Sequence, residues 1–406
     1  MPSCSSPRLG WALVLALAVA GCLHRAPEGP ATSPGVRVRA LAPLPREVLE
    51  RGAGSLDVTI RKRSLTALVA HAPAVELTAI AQRGLYDPSR YVRRDVVDSL
   101  AARLPEEAAA SLLRGVLNRG DMDPFARAWA GAALVAHGDP EAAASLAAAW
   151  RAERSAWDRA PLALAAMSAG DAEAEAALAA ALREGDVPLE PRLFLDLARS
   201  GHAGLVPALR EARALLEEEL LLPMGVALLL LGDSEGQDIV WGALDGDDEL
   251  LGMEAVDLLR ELSAPAAATL LRRAGNGRGG IVRTYAELVA VGRGEAPLGA
   301  AVAAAETEDP DQRCLAYEAI GLALGRLPRA EPLHRPERAA HDLVLQALDV
   351  GEPASRACAA RALGGALREV DRAAMEGRLT EAAADADVEE LQVEVAAALL
   401  ELTPGG

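Results

Sequence analysis

The sequence predicts an all-α fold, an α-solenoid of about eleven stacked antiparallel helix pairs, and three observations predict it. The first is composition. The chain is 51% hydrophobic but only 3% aromatic, so Leu, Val and Ala must do the packing. Alanine loses no side-chain entropy in a helix, and strand-type runs of Val, Ile, Thr and aromatics are almost absent. The second is recurrence. LYDPSRYVRRDVVDSLAARL (85–104), NRGDMDPFARAWAGAALVAHGD (118–139), AERSAWDRAPLALAAMSAGD (152–171) and PLEPRLFLDLARSG (188–201) share one design. So do GGIVRTYAELVAVG (279–292), EDPDQRCLAYEAIGLALG (308–325) and EPASRACAARALGGALREV (352–370). Each has a turn with Asp, Pro or Gly, then an Arg, then an apolar helix with Ala at the tight positions. The third is spacing. The marker Arg falls at Arg61, Arg93, Arg127, Arg159, Arg192, Arg283, Arg313 and Arg356, with gaps of 32, 34, 32 and 33 up to Arg192. One helix pair cannot bury its apolar stripe alone, whereas stacked pairs make a continuous core.

Taken in order, residues 1–21 read as a signal peptide. Arg8 supplies positive charge, and Trp11 to Ala20 form an apolar segment too short to span a bilayer. Val19-Ala20-Gly21-Cys22 follows directly. Residues 22–46 contain LHRAPEGPATSPGVRVRALAPLPR, rich in Pro, Gly and Ala without periodicity, which predicts an extended tether. The helical array occupies residues 47–406. Arg283 follows Arg192 at a separation of 91, room for two degenerate copies around 223–232 and 252–262. Gln392 marks a final copy. The expected form is a right-handed superhelix with a concave face and polar ends. The last helix, Glu389–Leu402, carries Glu390, Gln392, Glu394 and Glu401 and is expected to cap it.

Val19-Ala20-Gly21-Cys22 resembles a bacterial lipobox. The resemblance implies cleavage before Cys22, a diacylglycerol on its thiol and acylation, palmitate included, of the new amino group. Two or three acyl chains hold a protein at a membrane durably. Leu23 replaces the Asp that commonly retains such lipoproteins in the inner membrane, so the expected address is the outer membrane, facing the periplasm. From about residue 50 to 402 the repeat resembles the HEAT-repeat family, including its bilin-lyase-like subgroup. Asp, six residues, then Arg recurs in Asp87/Arg93, Asp121/Arg127 and Asp186/Arg192, with Glu153/Arg159 as a variant. In that family such pairs form a ladder along the stacked turns.

Several motifs invite chemistry. Gly232-Asp233-Ser234-Glu235-Gly236 is G-x-S-x-G, the nucleophile elbow of serine hydrolases, which needs a strand before it and a helix after it. In register, however, Leu231-Gly232-Asp233 matches Ala169-Gly170-Asp171 and His137-Gly138-Asp139, with Asp171 32 residues after Asp139 and Asp233 62 after Asp171. That predicts a left-handed Gly after one helix and a capping Asp before the next, with Ser234 merely starting a helix. His71, His137 and His202 each follow a marker Arg by ten residues, in alternate repeats, too far apart for one metal ion. No metal or other cofactor is expected. Cys314 and Cys358 sit in unequal phase inside apolar helices, and buried free thiols are expected. GRGG (277–280) lacks the Lys-Ser/Thr ending of a phosphate loop. The acidic runs at Glu217–Glu219 and Asp245–Glu249 are expected to be exposed helix ends and turns. Two basic islands remain as possible partner-binding edges: Arg272, Arg273, Arg278 and Arg283 within one repeat, and Arg326, Arg329, Arg335 and Arg338 in an insertion between repeats.

Formal charge is −18, with 59 acidic against 41 basic residues, and removing residues 1–21 leaves −19. Such a surface repels nucleic acid and anionic lipid, so no nucleic-acid partner is expected. The function these features predict is a membrane-anchored, non-catalytic scaffold or adaptor that binds an envelope protein or peptide. The alternatives are a structural envelope component without a dedicated partner, a hydrolase using Ser234, and a ligand-handling lyase-like protein.

Overall fold

The computed structural model describes residues 45–402 apart from 188–189, 263, 278–279, 328–332, 366–371 and 387. The described residues contain 22 α-helices and no strand. They form eleven antiparallel pairs: α1 and α2 (Pro45–Gly52, Val58–His71), α3 and α4 (Ala74–Leu85, Arg90–Ala101), α5 and α6 (Glu107–Asn118, Pro124–Ala136), α7 and α8 (Ala142–Ala152, Ala156–Ser168). Next come α9 and α10 (Ala172–Glu184, Pro191–Ser200), α11 and α12 (Val206–Ala212, Leu221–Leu230), α13 and α14 (Ser234–Asp245, Glu249–Arg260). The series ends with α15 and α16 (Pro265–Gly275, Ile281–Gly292), α17 and α18 (Leu298–Ala305, Pro310–Gly325), α19 and α20 (Arg335–Val350, Pro353–Gly365), and α21 and α22 (Arg372–Asp385, Glu389–Leu402). The two degenerate copies expected between Arg192 and Arg283 are the pairs α11/α12 and α13/α14.

Even-numbered helices form the inner layer, each packed on the next even helix, and odd-numbered helices form the outer layer. The turns joining odd to even helices share one edge, and those joining even to odd helices share the other. Helix α9 shows how sequence specifies an element. The Asp171 side chain accepts from the backbone N–H groups of Glu173 (3.1 Å) and Ala174 (3.3 Å), and Glu173 and Glu175 occupy the first turn. Ala174, Leu178 and Leu182, every fourth residue, are buried, and Gly185 ends the helix at φ 75°.

The array does not end in polar caps as expected; it closes. Helix α22 packs against α1 and α2 as well as α20. Its Val393, Ala396 and Ala397 join a core with Val48, Leu49 and Leu65 of the first pair. Its Leu391, Val395 and Ala398 join the core of the preceding pairs. Glu394, expected on a solvent-facing cap, is 3% exposed. A terminal repeat needs a polar outer face only when nothing stacks on it, and here the first pair supplies the missing neighbour.

The G-x-S-x-G segment is one joint of this array. Gly232 has φ +87°, matching Gly138 (+84°) and Gly170 (+95°). The Asp233 carboxylate accepts from Glu235 N (2.9 Å) and so caps α13, of which Ser234 is the first residue. The second glycine has its own cause: a Cβ on Gly236 would collide with the backbone nitrogen of Leu229 and the carbonyl oxygen of Gly225, where α12 and α13 pack closest. What precedes the motif is α12, a helix rather than a strand.

Four marker arginines, Arg61, Arg93, Arg127 and Arg313, tie their turn to the next. Arg61 donates to the carbonyls of Ser55 (2.9 Å) and Leu56 (3.0 Å) in its own turn, and to Asp87 (2.9 Å) in the next. Arg93 repeats this with the carbonyls of Asp87 (2.7 Å) and Pro88 (3.1 Å), and pairs with Asp123 at 3.3 Å. Arg313 repeats it with Thr307, Glu308 and Glu352. Within Asp87/Arg93 the Asp therefore offers Arg93 only its backbone oxygen, while its carboxylate serves Arg61. Asp123 rather than Asp121 takes Arg93, Asp121 pairs with nearby Arg119 (2.6 Å), and Glu153 pairs with Arg127 (3.8 Å). A second set joins outer helices through their capping carboxylates: Arg114 to Asp139 (2.8 Å), Arg151 to Asp171 (2.9 Å) and Arg210 to Asp233 (2.5 Å).

Cys314 and Cys358 form a disulfide instead of standing as free thiols. Their Cα atoms lie 5.4 Å apart, within the range a disulfide requires. They sit on α18 and α20, neighbours in the inner layer. The segment between them, across a sequence separation of 44, includes the whole of α19, which lies outside that layer and leaves the two cysteines face to face.

Candidate functional site

Helices α2, α4 and α6 face α10 and α14 across a cleft of about 520 Å³, within the ordinary size of a small-molecule site. Arg90 and Arg94 of α4 lie one turn apart, as do Phe125 and Trp129 of α6, so each pair shares one helix face. Opposite stand Glu190, the N-cap of α10, then Arg192 and Leu195 of α10, and Leu258 and Glu261 at the end of α14. The Phe125 and Trp129 rings are 5.8 Å apart, and the Arg94 guanidinium lies 5.6 Å from the Trp129 ring centre.

Ion pairs stitch the walls together: Lys62 to Asp95 (3.2 Å), Arg90 to Glu190 (2.7 Å) and Arg192 to Glu261 (3.2 Å). Three enclosed polar atoms of these residues make no hydrogen bond: Nε of Arg94, which lies 3.5 Å from the Asp98 carboxylate, Nε of Arg192, whose guanidinium pairs with Asp196 at 2.9 Å, and Oε1 of Glu190. Burial depresses the Arg192 pKa below the usual arginine value, and the like charges of Arg94 and Arg199 push it the same way against the attraction of Asp196 and Glu261. Burial likewise raises Asp98, the partner of Arg94, above the ordinary aspartate value.

A second feature is a rim. Leu56 is 99% exposed, Tyr91 60%, Trp157 59%, Leu250 73% and Val350 76%. All five lie in or beside turns that join an odd helix to the even helix after it, so they share one edge. Tyr86, Leu215, Ile281 and Val388 are exposed on that same edge. Val75 and Leu322 are the exposed large hydrophobics that lie elsewhere among the described residues.

The residues singled out by sequence are distributed as follows. Val19, Ala20, Gly21 and Cys22 lie outside the described residues, as do Arg278 and Arg329. Arg272 donates to the Ala268 carbonyl one turn back (3.4 Å). Arg273 stacks 3.5 Å over the Trp241 ring, and Arg283 donates to the Gly275 carbonyl (3.2 Å). This first island borders the acidic turn of the preceding pair, with Asp245, Asp247 and Glu249 lining the same hollow as Arg283. Asp248 in that turn caps α14 through Leu250 N (3.0 Å) and Leu251 N (3.1 Å). Arg326 donates to the Gly292 carbonyl (2.8 Å), and Arg335 and Arg338 lie in the first turn of α19. The two islands occupy opposite edges. His71 ends α2, His137 ends α6 and His202 follows α10. No cluster of three or more His, Cys, Asp or Glu suited to a metal exists among the described residues.

Sequence reasoning did not find the cleft. The i, i+4 spacings of Arg90/Arg94 and Phe125/Trp129 were legible, but nothing in the order of residues brings α4 and α6 opposite α10 and α14.

A chain whose described part consists wholly of stacked antiparallel helix pairs is an α-solenoid protein. Residues 75–168, three consecutive pairs from α3 to α8, match the family model of HEAT repeats. No curated protein matches the sequence. A crystal structure of an engineered protein is 20% identical, covering 89% of this chain and 99% of its own, with a TM-score of 0.21.

Proposed function

We propose that this protein is a membrane-anchored envelope lipoprotein whose helical array is a non-catalytic adaptor for another envelope protein. The observation that carries the reading is the rim: aromatic and aliphatic side chains, separated by whole repeats, gather on one edge of an otherwise acidic molecule. A row of exposed apolar side chains spaced along one edge offers repeated contact points to an extended protein partner. HEAT repeats commonly serve as interaction scaffolds, which fits an edge built in this way. The lipobox at Val19–Cys22 supplies the anchor, acylated on Cys22. A disulfide between Cys314 and Cys358 accords with an oxidising compartment such as the periplasm, and supports export.

Two measurements test this. Cys22→Ala should leave an unprocessed, unlipidated precursor and release the folded part from membranes. In crosslinking from membranes, the triple variant Leu56→Ser/Trp157→Ala/Leu250→Ser should lose a stoichiometric protein partner that the wild type retains. Equal crosslinking by both, or no partner for either, would refute the adaptor role.

A further inference from the structure

The inner cleft adjoins a second hollow. Phe125 and Trp129 line both the cleft and a smaller space of about 200 Å³, so the two spaces meet along one face of α6. Phe125, Trp129 and Ala132 follow at i, i+4 and i+7, a row over two helical turns, about 10 Å long. The walls of the smaller space are mostly short and aliphatic: Ala128 and Ala132 of α6, Pro161, Leu164 and Ala165 of α8, and Leu193 of α10.

The charged groups along both spaces are already taken. Lys62 pairs with Asp95 (3.2 Å), Arg90 with Glu190 (2.7 Å) and Arg94 with Asp98 (3.5 Å). Arg192 pairs with Asp196 (2.9 Å), and Arg199 with both Asp196 (3.2 Å) and Glu261 (3.0 Å). An ionic occupant would lose hydration here and gain no counter-ion, which opposes its binding. What lacks a partner is apolar surface: the Phe125 and Trp129 side chains stay only half-buried in a chain that is 3% aromatic. Sites for compact ligands run to about 300–1,000 Å³. The smaller space falls below that range and admits a slender chain rather than a broad ring system.

We propose that the two spaces together form a binding site for an uncharged molecule with a linear alkyl chain. The chain lies along α6 across Phe125 and Trp129, with its end among Ala132, Pro161 and Ala165. An uncharged polar end group, such as a hydroxyl, sits in the wider cleft among the ion pairs. The site is separate from the rim and does not depend on it.

The test is calorimetric titration of the full folded chain with four probes: 1-octanol, octanoate, octylammonium and cyclooctanol. 1-Octanol is expected to bind the wild type, with the two ions and the compact ring each at least about tenfold weaker. Ala132→Leu should weaken 1-octanol about tenfold or more by filling the smaller space, whereas Val75→Ser, exposed elsewhere, should not. Ala132 is half-buried on the wall of that space, so the longer side chain grows into the opening and the Tm without ligand should hold. If it falls, Phe125→Ser decides the matter, with the same loss of binding expected. No heat with 1-octanol up to its solubility limit would overturn the proposal. So would an ion that binds as tightly, cyclooctanol binding as tightly, or a folded Ala132→Leu or Phe125→Ser variant that binds like the wild type.

Discussion

Arg63 donates to Glu394 at 3.0 Å across 331 residues of sequence, and this ion pair joins the first helix pair of the array to the last. The Glu394 carboxylate is shared: its other oxygen accepts from Arg361 at 2.9–3.0 Å. Burial works against the Arg361 charge, but Glu394 and Glu318 together hold it above the ordinary arginine value. One buried carboxylate thus bridges two guanidiniums at the seam, between apolar contacts of α22 with α1 and α2 on one side and α20 on the other.

Glu394→Gln should therefore destabilise the fold by about 2–3 kcal/mol, the lower end of what breaking a buried pair costs, because Arg63 and Arg361 each keep partial exposure. The urea midpoint measures it. Arg63→Met added to Glu394→Met should recover part of the loss. An unchanged midpoint for Glu394→Gln would mean that the apolar contacts alone hold the seam.

Within Gly232–Gly236 the glycines should matter and the serine should not. Ser234 is exposed at the start of α13, so Ser234→Ala should shift stability by less than about 0.5 kcal/mol. Gly236→Ala should cost about 1–3 kcal/mol, since its Cβ meets backbone that cannot move aside cheaply. Asp233→Ala loses a cap and a partner of Arg210, at a cost of about 1–2 kcal/mol. An activity-based serine probe that labels wild type but not Ser234→Ala would contradict this assignment.

Exported protein should carry Cys314 and Cys358 as an intramolecular disulfide, resistant to alkylation until reduced. The bond closes a loop with a sequence separation of 44, and the paired Cys→Ser variant should lose about 2–4 kcal/mol. Free thiols at both positions in protein purified without reductant would count against the pairing.

Acid sensitivity should trace to the capping carboxylates. The hydrogen bond from Arg114, followed by backbone donors at Glu141 and Ala142, holds Asp139 below the ordinary aspartate pKa. The Trp150 indole N–H, then the backbone donors at α9, do the same for Asp171. A folded pKa below the unfolded value stabilises the protein above about pH 4, and that stability is lost as pH falls through the folded pKa. Tm should therefore decline below about pH 4. Asp139→Asn should be less stable at neutral pH and decline less steeply. Parallel Tm–pH profiles for variant and wild type would contradict this.

Sequence alone determined the elements and their count. Alanine-rich helices, Gly-Asp joints such as Gly170-Asp171 and Gly232-Asp233, and marker arginines one repeat apart are local instructions, fixed by backbone geometry and capping within a few residues. They predicted eleven pairs, and they showed why Ser234 begins a helix. Which acid each arginine takes was only half legible, because Asp87 serves Arg61 from the preceding pair rather than Arg93 six residues on. Closure, the Cys314–Cys358 bond and the cleft between Arg94 and Arg192 were decided by tertiary structure. Closure and the cleft depend on curvature summed over many small rotations between repeats, which no short stretch of residues encodes, and the disulfide depends on α19 lying outside the inner layer so that α18 and α20 meet.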